Sequence, residues 1–263
     1  MSNLMPARIV SLVPSLTELV CALGLRPFLV GRTGFCIHPK ELLADVPKVG
    51  GTKAVDVEKI RQLRPSHLIV SREENEQPVV AELAEFIPQV IVTNPVTLED
   101  NLGLYRLFGE QFGSQKQAAS LIARFEQARA RLSSRQYSEL RVLYLIWKSP
   151  WMTVTQNTFI SQMLQTVGLH TVPAIEGNTD AGRYPVLAAE NFSAQDADLV
   201  LLSSEPFKFG KEHIDQVQSL PGMADTPVRL IDGEMTSWYG SRAIDGLHYL
   251  AEYREAMTGA QSL

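Results

Sequence analysis

The stretch that decides the fold is Ile9-Val10-Ser11-Leu12-Val13-Pro14-Ser15-Leu16-Thr17-Glu18, which opens a unit running to Gly24-Leu25. It reads as a short apolar strand followed directly by an apolar helix, the pattern of a parallel βα unit. The same plan returns in VLYLIWKSPW, which begins at Val142, 133 residues after Ile9. This second unit runs on to Gly168-Leu169, so the chain is predicted to contain an internal repeat.

Two further units repeat in the same order. The apolar run Leu68-Ile69-Val70-Ser71 returns 132 residues later as Val200-Leu201-Leu202-Ser203, and Val90-Ile91-Val92 returns as Val228-Arg229-Leu230-Ile231. Three matched units predict two similar α/β lobes with mainly parallel sheets. Two such lobes are expected to enclose a ligand cleft between them.

A single long helix is predicted between the repeats. Apolar residues follow the 3.6-residue period from about Ser114 to Arg135, and charged or amide side chains fill the other face. The expected organisation is an N-terminal lobe at 1–112, a connecting backbone helix at 113–136 and a C-terminal lobe at 137–263. Ser15, with Glu18, is predicted to cap the first helix, and Asp56 to cap the helix Val57 to Leu63.

Composition excludes several classes of function. The chain has 263 residues, is 45% hydrophobic and carries a net charge of −5, with no basic stretch dense enough to follow a phosphate backbone. We therefore expect no nucleic-acid partner, no membrane insertion and a monomer. No secretory signal is recognised at the N-terminus, which predicts a cytoplasmic protein if this is the complete translation product.

The common catalytic motifs are missing. The sequence contains no G-x-G-x-x-G after a strand, no phosphate-binding loop, no H-E-x-x-H and no G-x-S-x-G. The five histidines are scattered one per segment. We predict no catalytic residues and no catalytic cofactor, so the protein is not expected to be an enzyme.

Aromatic residues mark the predicted binding site. All three tryptophans follow strand signals, where open α/β sheets bind ligands. The alternative is that each ring only packs against its own loop. Arg242, just after Trp238-Tyr239, is the candidate polar anchor. The predicted ligand-binding residues are Ser15, Phe35, Cys36, Trp147, Trp151, Trp238, Tyr239 and Arg242.

The loop Phe35-Cys36-Ile37-His38-Pro39 contains the only candidate metal ligands. A thiolate or an imidazole suits a transition metal, so Cys36 or His38 is a possible axial ligand to a bound metal complex. An ordinary loop is the alternative, and no direct metal site is predicted.

Acidic residues follow the repeated strands in both predicted lobes, and Glu205 lies 132 residues after Glu73. Glu73, Glu74 and Glu76 in one lobe and Glu205 in the other are expected at the lobe tips, although exposed glutamates are often only solvated surface.

The chain resembles the class III periplasmic substrate-binding proteins, also called helical-backbone metal receptors, and most closely their cobalamin-binding branch. The similar motifs are SLVPSLTEL, FCIHP followed by VPKVGG, RQLRPSHLIVS, SPWMT, TFISQML, DADLVLLSSEPF and DGEMTSWYGSR, which span nearly the whole chain in order. The resemblance implies two Rossmann-like lobes joined by one backbone helix, a periplasmic location if a leader has been omitted, and delivery of the ligand to an ABC permease dimer. It also implies one docking glutamate per lobe, which matches Glu205 in the second lobe and one of Glu73, Glu74 or Glu76 in the first, where Glu73 is the candidate at the matching offset.

The expected function is therefore capture of cobalamin, or a related corrinoid or metal chelate, for an ABC importer. Three alternatives remain open at this point. The first is a receptor for haem or an iron chelate, and the second is a cytoplasmic corrinoid chaperone or sensor. The third is an enzyme acting on a tetrapyrrole, for which the sequence offers no acid–base pair.

Overall fold

A computed structural model describes residues 7–174 and 182–259, which form a mixed α/β protein. The described residues cluster into two compact units. The first contains the chain up to Pro95 together with Glu99–Arg124 and Tyr239–Arg242, and the second contains Val96–Leu98, Phe125–Trp238 and the residues from Ala243 onward. The division falls inside the segment predicted to be the connecting helix, which is helical from Gln115 to Ser133.

The first unit is built on a four-stranded parallel sheet with the order β2-β1-β3-β4. Its central strands are apolar on both faces, as expected for a sheet covered by helices on each side. The elements are β1 (Ile9–Ser11), α1 (Pro14–Ala22), β2 (Leu29–Arg32), α2 (Lys40–Leu43), α3 (Val57–Leu63), β3 (His67–Ser71), α4 (Gln77–Ala84), β4 (Gln89–Thr93), α5 (Leu98–Phe112) and α6 (Gln115–Ser133), of which α6 continues into the second unit.

The second unit contains a five-stranded sheet in which β5 pairs with β6, β7 and β8, and β8 pairs with β9. All pairs are parallel except β5 with β6. The elements are β5 (Leu140–Trp147), β6 (Met152–Thr153), α7 (Phe159–Gln165), β7 (Leu169–Thr171), β8 (Leu199–Ser203), α8 (Lys211–Gln218), β9 (Val228–Ile231), α9 (Gly233–Ser237) and α10 (Arg242–Gly259).

The strand registers confirm the internal repeat. Ile9 pairs with His67 in the first unit, and Val142 pairs with Leu199 in the second. These partners are the residues that the offsets of 133 and 132 predict. Each sheet also places the strand that opens its repeat between two parallel neighbours, so the same topology is built twice.

One of the two predicted helix caps is confirmed and the other is wrong. The Asp56 carboxylate accepts a hydrogen bond of 2.9 Å from the Lys59 backbone N–H at the start of α3. In α1 the N-cap residue is Val13, without a side-chain cap, and Ser15 lies within the first helical turn. Pro14 explains the difference, because its fixed φ and missing N–H suit the first helical position and start the helix earlier than expected.

In the ranges 7–174 and 182–259, no helix combines the length and the apolar character that crossing a membrane requires.

Candidate functional site

The loop after β2 presents two apolar side chains to solvent. Phe35 is 62% exposed and Ile37 is 50% exposed, whereas Cys36 between them is fully buried. Large apolar side chains exposed side by side are costly in water unless a ligand or partner covers them. Of the predicted ligand-binding residues in the first unit, Phe35 is the one that offers an open aromatic surface.

A buried arginine supports this loop. Arg32 is only 7% exposed, and its guanidinium donates to the backbone carbonyls of Thr33, Cys36 and Leu43 at 3.0 to 3.3 Å. Charged donors shared among three carbonyls fix the path of a loop better than one neutral hydrogen bond. The position of Phe35 is therefore set by the backbone beneath it.

The thiol of Cys36 points into the interior of the first unit. Its sulfur lies 3.0 Å from the Thr17 hydroxyl and 3.1 Å from the Thr33 hydroxyl. Burial raises the pKa of the Cys36 thiol, and only the thiolate is a good metal ligand. The Cys36 side chain is thus packed inside the unit, whereas His38 is half-buried. The ligand-binding role of Cys36 and the axial-ligand role of Cys36 or His38 stay predictions. No group of three or more His, Cys, Asp or Glu side chains is arranged to hold a metal ion in the residues that the structure covers.

The second unit carries an aromatic cluster at the carboxyl ends of β5 and β8. Trp147, at the end of β5, is 39% exposed and meets the Phe207 ring edge-on at 5.8 Å. Trp151 stacks parallel to Phe209 at 6.1 Å and packs edge-on against buried Phe192. Trp147 therefore keeps an open face, while Trp151 mainly packs against its own loops, the alternative left open for each tryptophan.

Phe207 and Phe209 were missed by the sequence reasoning. Their rings lie 4.7 Å apart, and they connect Trp147 to Trp151. The signal was present in Glu205-Pro206-Phe207-Lys208-Phe209, where two phenylalanines in alternation follow a buried strand. That pattern places both rings at the same sheet edge as the tryptophans.

Trp238 and Tyr239 are mostly buried rather than open to solvent. They are 9% and 6% exposed. Trp238 is the last residue of the segment Phe125–Trp238 in the second unit, and its indole Nε1 donates to Glu205 Oε1 at 2.7 Å. Tyr239 belongs to the first unit, and its hydroxyl donates to Glu74 Oε1 at 3.2 Å. Consecutive aromatic residues thus each contact one of the acidic loops that follow β3 and β8.

Arg242 forms an ion pair that the sequence reasoning did not anticipate. Its Nε and Nη2 donate to the two carboxylate oxygens of Glu18, each at 2.8 Å, and both side chains are less than one-fifth exposed. Near this pair, the Ser15 hydroxyl is buried without a hydrogen-bond partner among the described residues. The ligand-anchoring roles of Ser15 and Arg242 stay predictions.

The predicted docking glutamates differ in environment. Glu73 and Glu76 are exposed, whereas Glu205 is half-buried. The backbone N–H of Glu73 donates to Ser71 Oγ, and that of Glu205 donates to Ser203 Oγ, each at 3.3 Å. The two backbones are therefore equivalent in the repeat, although their side chains have different surroundings.

A cavity of about 340 Å³ lies elsewhere in the second unit, around Tyr137 and Arg254. The Arg254 guanidinium is already bound to the carbonyls of Val167 and Ser138. None of the predicted ligand-binding residues lines this cavity.

Two relatives with similar sequences illustrate the similarity of this chain to known proteins. A vitamin B12-binding protein of Pectobacterium carotovorum is 26% identical over 172 residues, covering 64% of this chain and 62% of the relative, less than two thirds of its length. An uncharacterised ABC transporter substrate-binding lipoprotein of Bacillus subtilis is 25% identical over 94% of this chain and 79% of its own length.

Solved structures agree on the fold. The periplasmic vitamin B12-binding protein BtuF of Vibrio cholerae has a TM-score of 0.77 at 20% identity, covering 98% of this chain and 99% of its own. A periplasmic heme-binding protein from Pseudomonas aeruginosa has a TM-score of 0.80 at 24% identity, covering 95% of this chain and 93% of its own.

The family is shown by a match that runs through both units. The model of the periplasmic binding proteins matches residues 9–228, from the first strand of one sheet to the last strand of the other. The chain therefore belongs to the periplasmic binding protein family.

Proposed function

We propose that the protein captures cobalamin, or a related corrinoid or metal chelate, and delivers it to an ABC importer outside the cytoplasm. The observation that most directly supports this proposal is that an exposed aromatic side chain lies at a strand carboxyl end in each unit, Phe35 in the first and Trp147 in the second. A large, partly apolar ligand is bound by such surfaces, with a few polar groups fixing its orientation. The vitamin B12-binding relatives support this ligand class.

In this proposal the protein performs no chemistry of its own. Phe35 and Trp147 supply apolar contact. The Ser15 hydroxyl, which has no hydrogen-bond partner within 7–174 and 182–259, is proposed to bind a polar group of the ligand. Glu73 and Glu205 are proposed to meet cationic residues of an ABC permease dimer. The polypeptide acts as a monomer.

Haem is the second candidate ligand. Several proteins of the same fold are heme-binding proteins, and two of them have TM-scores of 0.76 and 0.80, beside 0.77 for the vitamin B12-binding structure. A haem iron usually needs an axial side chain. His38 is the candidate in the loop that presents Phe35, since the Cys36 thiol is buried.

The test is titration with cyanocobalamin and with hemin, followed by absorption and tryptophan fluorescence. We expect one cyanocobalamin per chain, and a loss of affinity of about tenfold, about 1.4 kcal/mol, for Phe35→Ala. Leu107→Ala is the matched control, because Leu107 is 42% exposed on α5 in the same unit and is not a predicted contact. It should bind like the wild type.

Two results would contradict the cobalamin proposal. One is equal affinity of the Phe35→Ala variant and the wild type. The other is preferential binding of hemin with an absorption change that His38→Ala abolishes, which would establish the second candidate instead.

A further inference from the structure

Glu205 is more than a surface carboxylate. Its Oε1 accepts two hydrogen bonds, one from Ser237 Oγ at 2.8 Å and one from Trp238 Nε1 at 2.7 Å. All three residues belong to the second unit. A charged acceptor makes both hydrogen bonds stronger than neutral ones of the same length.

The surrounding elements hold this carboxylate in place. Ser203, at the end of β8, donates its hydroxyl to the Glu205 carbonyl at 2.7 Å. On the other side, α9 begins with Asp232 as its N-cap, and a Cβ built on Gly233 would lie 2.6 Å from Glu205 Cγ. Glycine at 233 thus permits α9 to pack directly on Glu205, and Trp238 follows the last turn of that helix.

The indole of Trp238 depends on this acceptor. A tryptophan side chain has one N–H donor and no acceptor, so its polar interaction is decided by a single partner. Here that partner is a carboxylate, and the ring is 9% exposed. Removal of the carboxylate would leave a largely buried N–H to find another acceptor, at the cost of its present orientation.

We propose that Glu205 is a positioning residue for Trp238. Its carboxylate fixes the indole ring of a predicted ligand contact, so one glutamate serves both the ligand site and the proposed docking surface. The functional half of this inference rests on the proposed function, whereas the positioning half concerns the protein without ligand.

The experiment measures the indole N–H of Trp238 by ¹H–¹⁵N NMR of the full chain. Three indole signals are expected from Trp147, Trp151 and Trp238, and Trp238→Phe identifies the third. In Glu205→Ala we expect hydrogen exchange of the Trp238 indole to become at least about tenfold faster. Glu205→Gln keeps an acceptor oxygen and should preserve most of the protection. Glu252→Ala, which removes an exposed carboxylate from α10, should change nothing.

Binding of cyanocobalamin provides the second readout. We expect an affinity about five- to tenfold lower for Glu205→Ala, near-wild-type affinity for Glu205→Gln, and no further loss when Glu205→Ala is added to Trp238→Phe. Circular dichroism checks that each variant folds. If Glu205→Ala unfolds, the comparison is made between Glu205→Gln and the double variant that combines Glu205→Gln with Ser237→Ala. The indole signal of Glu205→Gln alone must then lie closer to the wild-type signal than that of the double variant does.

Each outcome decides a separate claim. Unchanged indole exchange in Glu205→Ala overturns the positioning role. Faster exchange with unchanged affinity, while Trp238→Phe weakens binding, overturns the link to the ligand site. If the wild type binds neither cyanocobalamin nor hemin, the proposed function fails, and the exchange data still decide the positioning role.

Discussion

At the residue scale, glutamates with similar sequence contexts have different side-chain surroundings. Glu73 and Glu205 occupy equivalent backbone positions in the repeat, yet Glu73 is exposed, whereas half-buried Glu205 accepts a hydrogen bond from a tryptophan indole. Glu74, one residue further on, contacts Tyr239. The 132-residue offset identified the matching backbones but not the partners, because these lie in a segment more than thirty residues away in sequence, after β9. Side-chain contacts of that kind follow from tertiary packing.

The titration of Glu205 gives a prediction at this scale. Burial raises the pKa of the Glu205 carboxyl above its ordinary value, against the opposing effect of the Ser237 and Trp238 donors. A raised carboxyl pKa in the folded state means that the folded protein favours the protonated form. The stability that this group contributes is therefore present at low pH and is lost as pH rises through the raised pKa.

Glu205→Gln removes this dependence, since glutamine stays neutral. We expect the free energy of unfolding of Glu205→Gln, relative to wild type, to increase between about pH 4 and about pH 7. Urea unfolding at several pH values measures it, with Glu252→Gln as the exposed control on α10. A relative stability that stays flat or falls with rising pH would show that the buried carboxylate is not penalised.

At the element scale, strands and helices were predicted more successfully than their ends. Apolar runs and helical periodicity depend on local sequence, and the segments predicted from them form β1, β3, β5, β8 and α6. The predicted start of α1 was wrong because Pro14 suits the first helical position, so the helix begins before Ser15. Likewise, burial of Cys36 between exposed Phe35 and Ile37 depends on Arg32 beneath the loop, which no local pattern reveals.

The two predicted caps form a matched pair for experiment. Asp56→Ala removes the acceptor of the Lys59 N–H, and we expect a loss of about 1 kcal/mol in the free energy of unfolding. Ser15→Ala removes a buried hydroxyl that has no described partner, so it should be neutral or slightly stabilising. Chemical denaturation of both variants measures the difference. Equal losses would mean that Ser15 does stabilise the first turn of α1.

At the scale of the whole molecule, the repeat explains why the fold was predictable and the binding surface only partly so. Two copies of one parallel topology follow from three matched strand signals. The chain does not pass between the units only through the helix α6. Tyr239–Arg242 belongs to the first unit, although the residues on both sides of it belong to the second. Asn101 and Tyr105 bind the Gly240 backbone there. Such a return of the chain leaves no periodic signal in the sequence.

The proposed docking to a permease is best tested at Glu73 rather than Glu205, since a charge reversal at Glu205 would also remove the acceptor of the Trp238 indole. Glu73 is exposed and is not a predicted ligand contact. If it meets an arginine of the partner, Glu73→Arg places like charges across the contact and should weaken the complex about tenfold, about 1.4 kcal/mol. The loss should shrink at high salt, because the charges lie at a solvated surface.

The control variant is Glu76→Arg, which makes the same change three residues away in the same acidic loop and should have little effect. Pull-down with the permease and uptake assays measure both variants, with cyanocobalamin affinity as the internal control. Equal behaviour of the two variants would assign the contact to the general charge of the loop, and undiminished transport by both would place docking elsewhere.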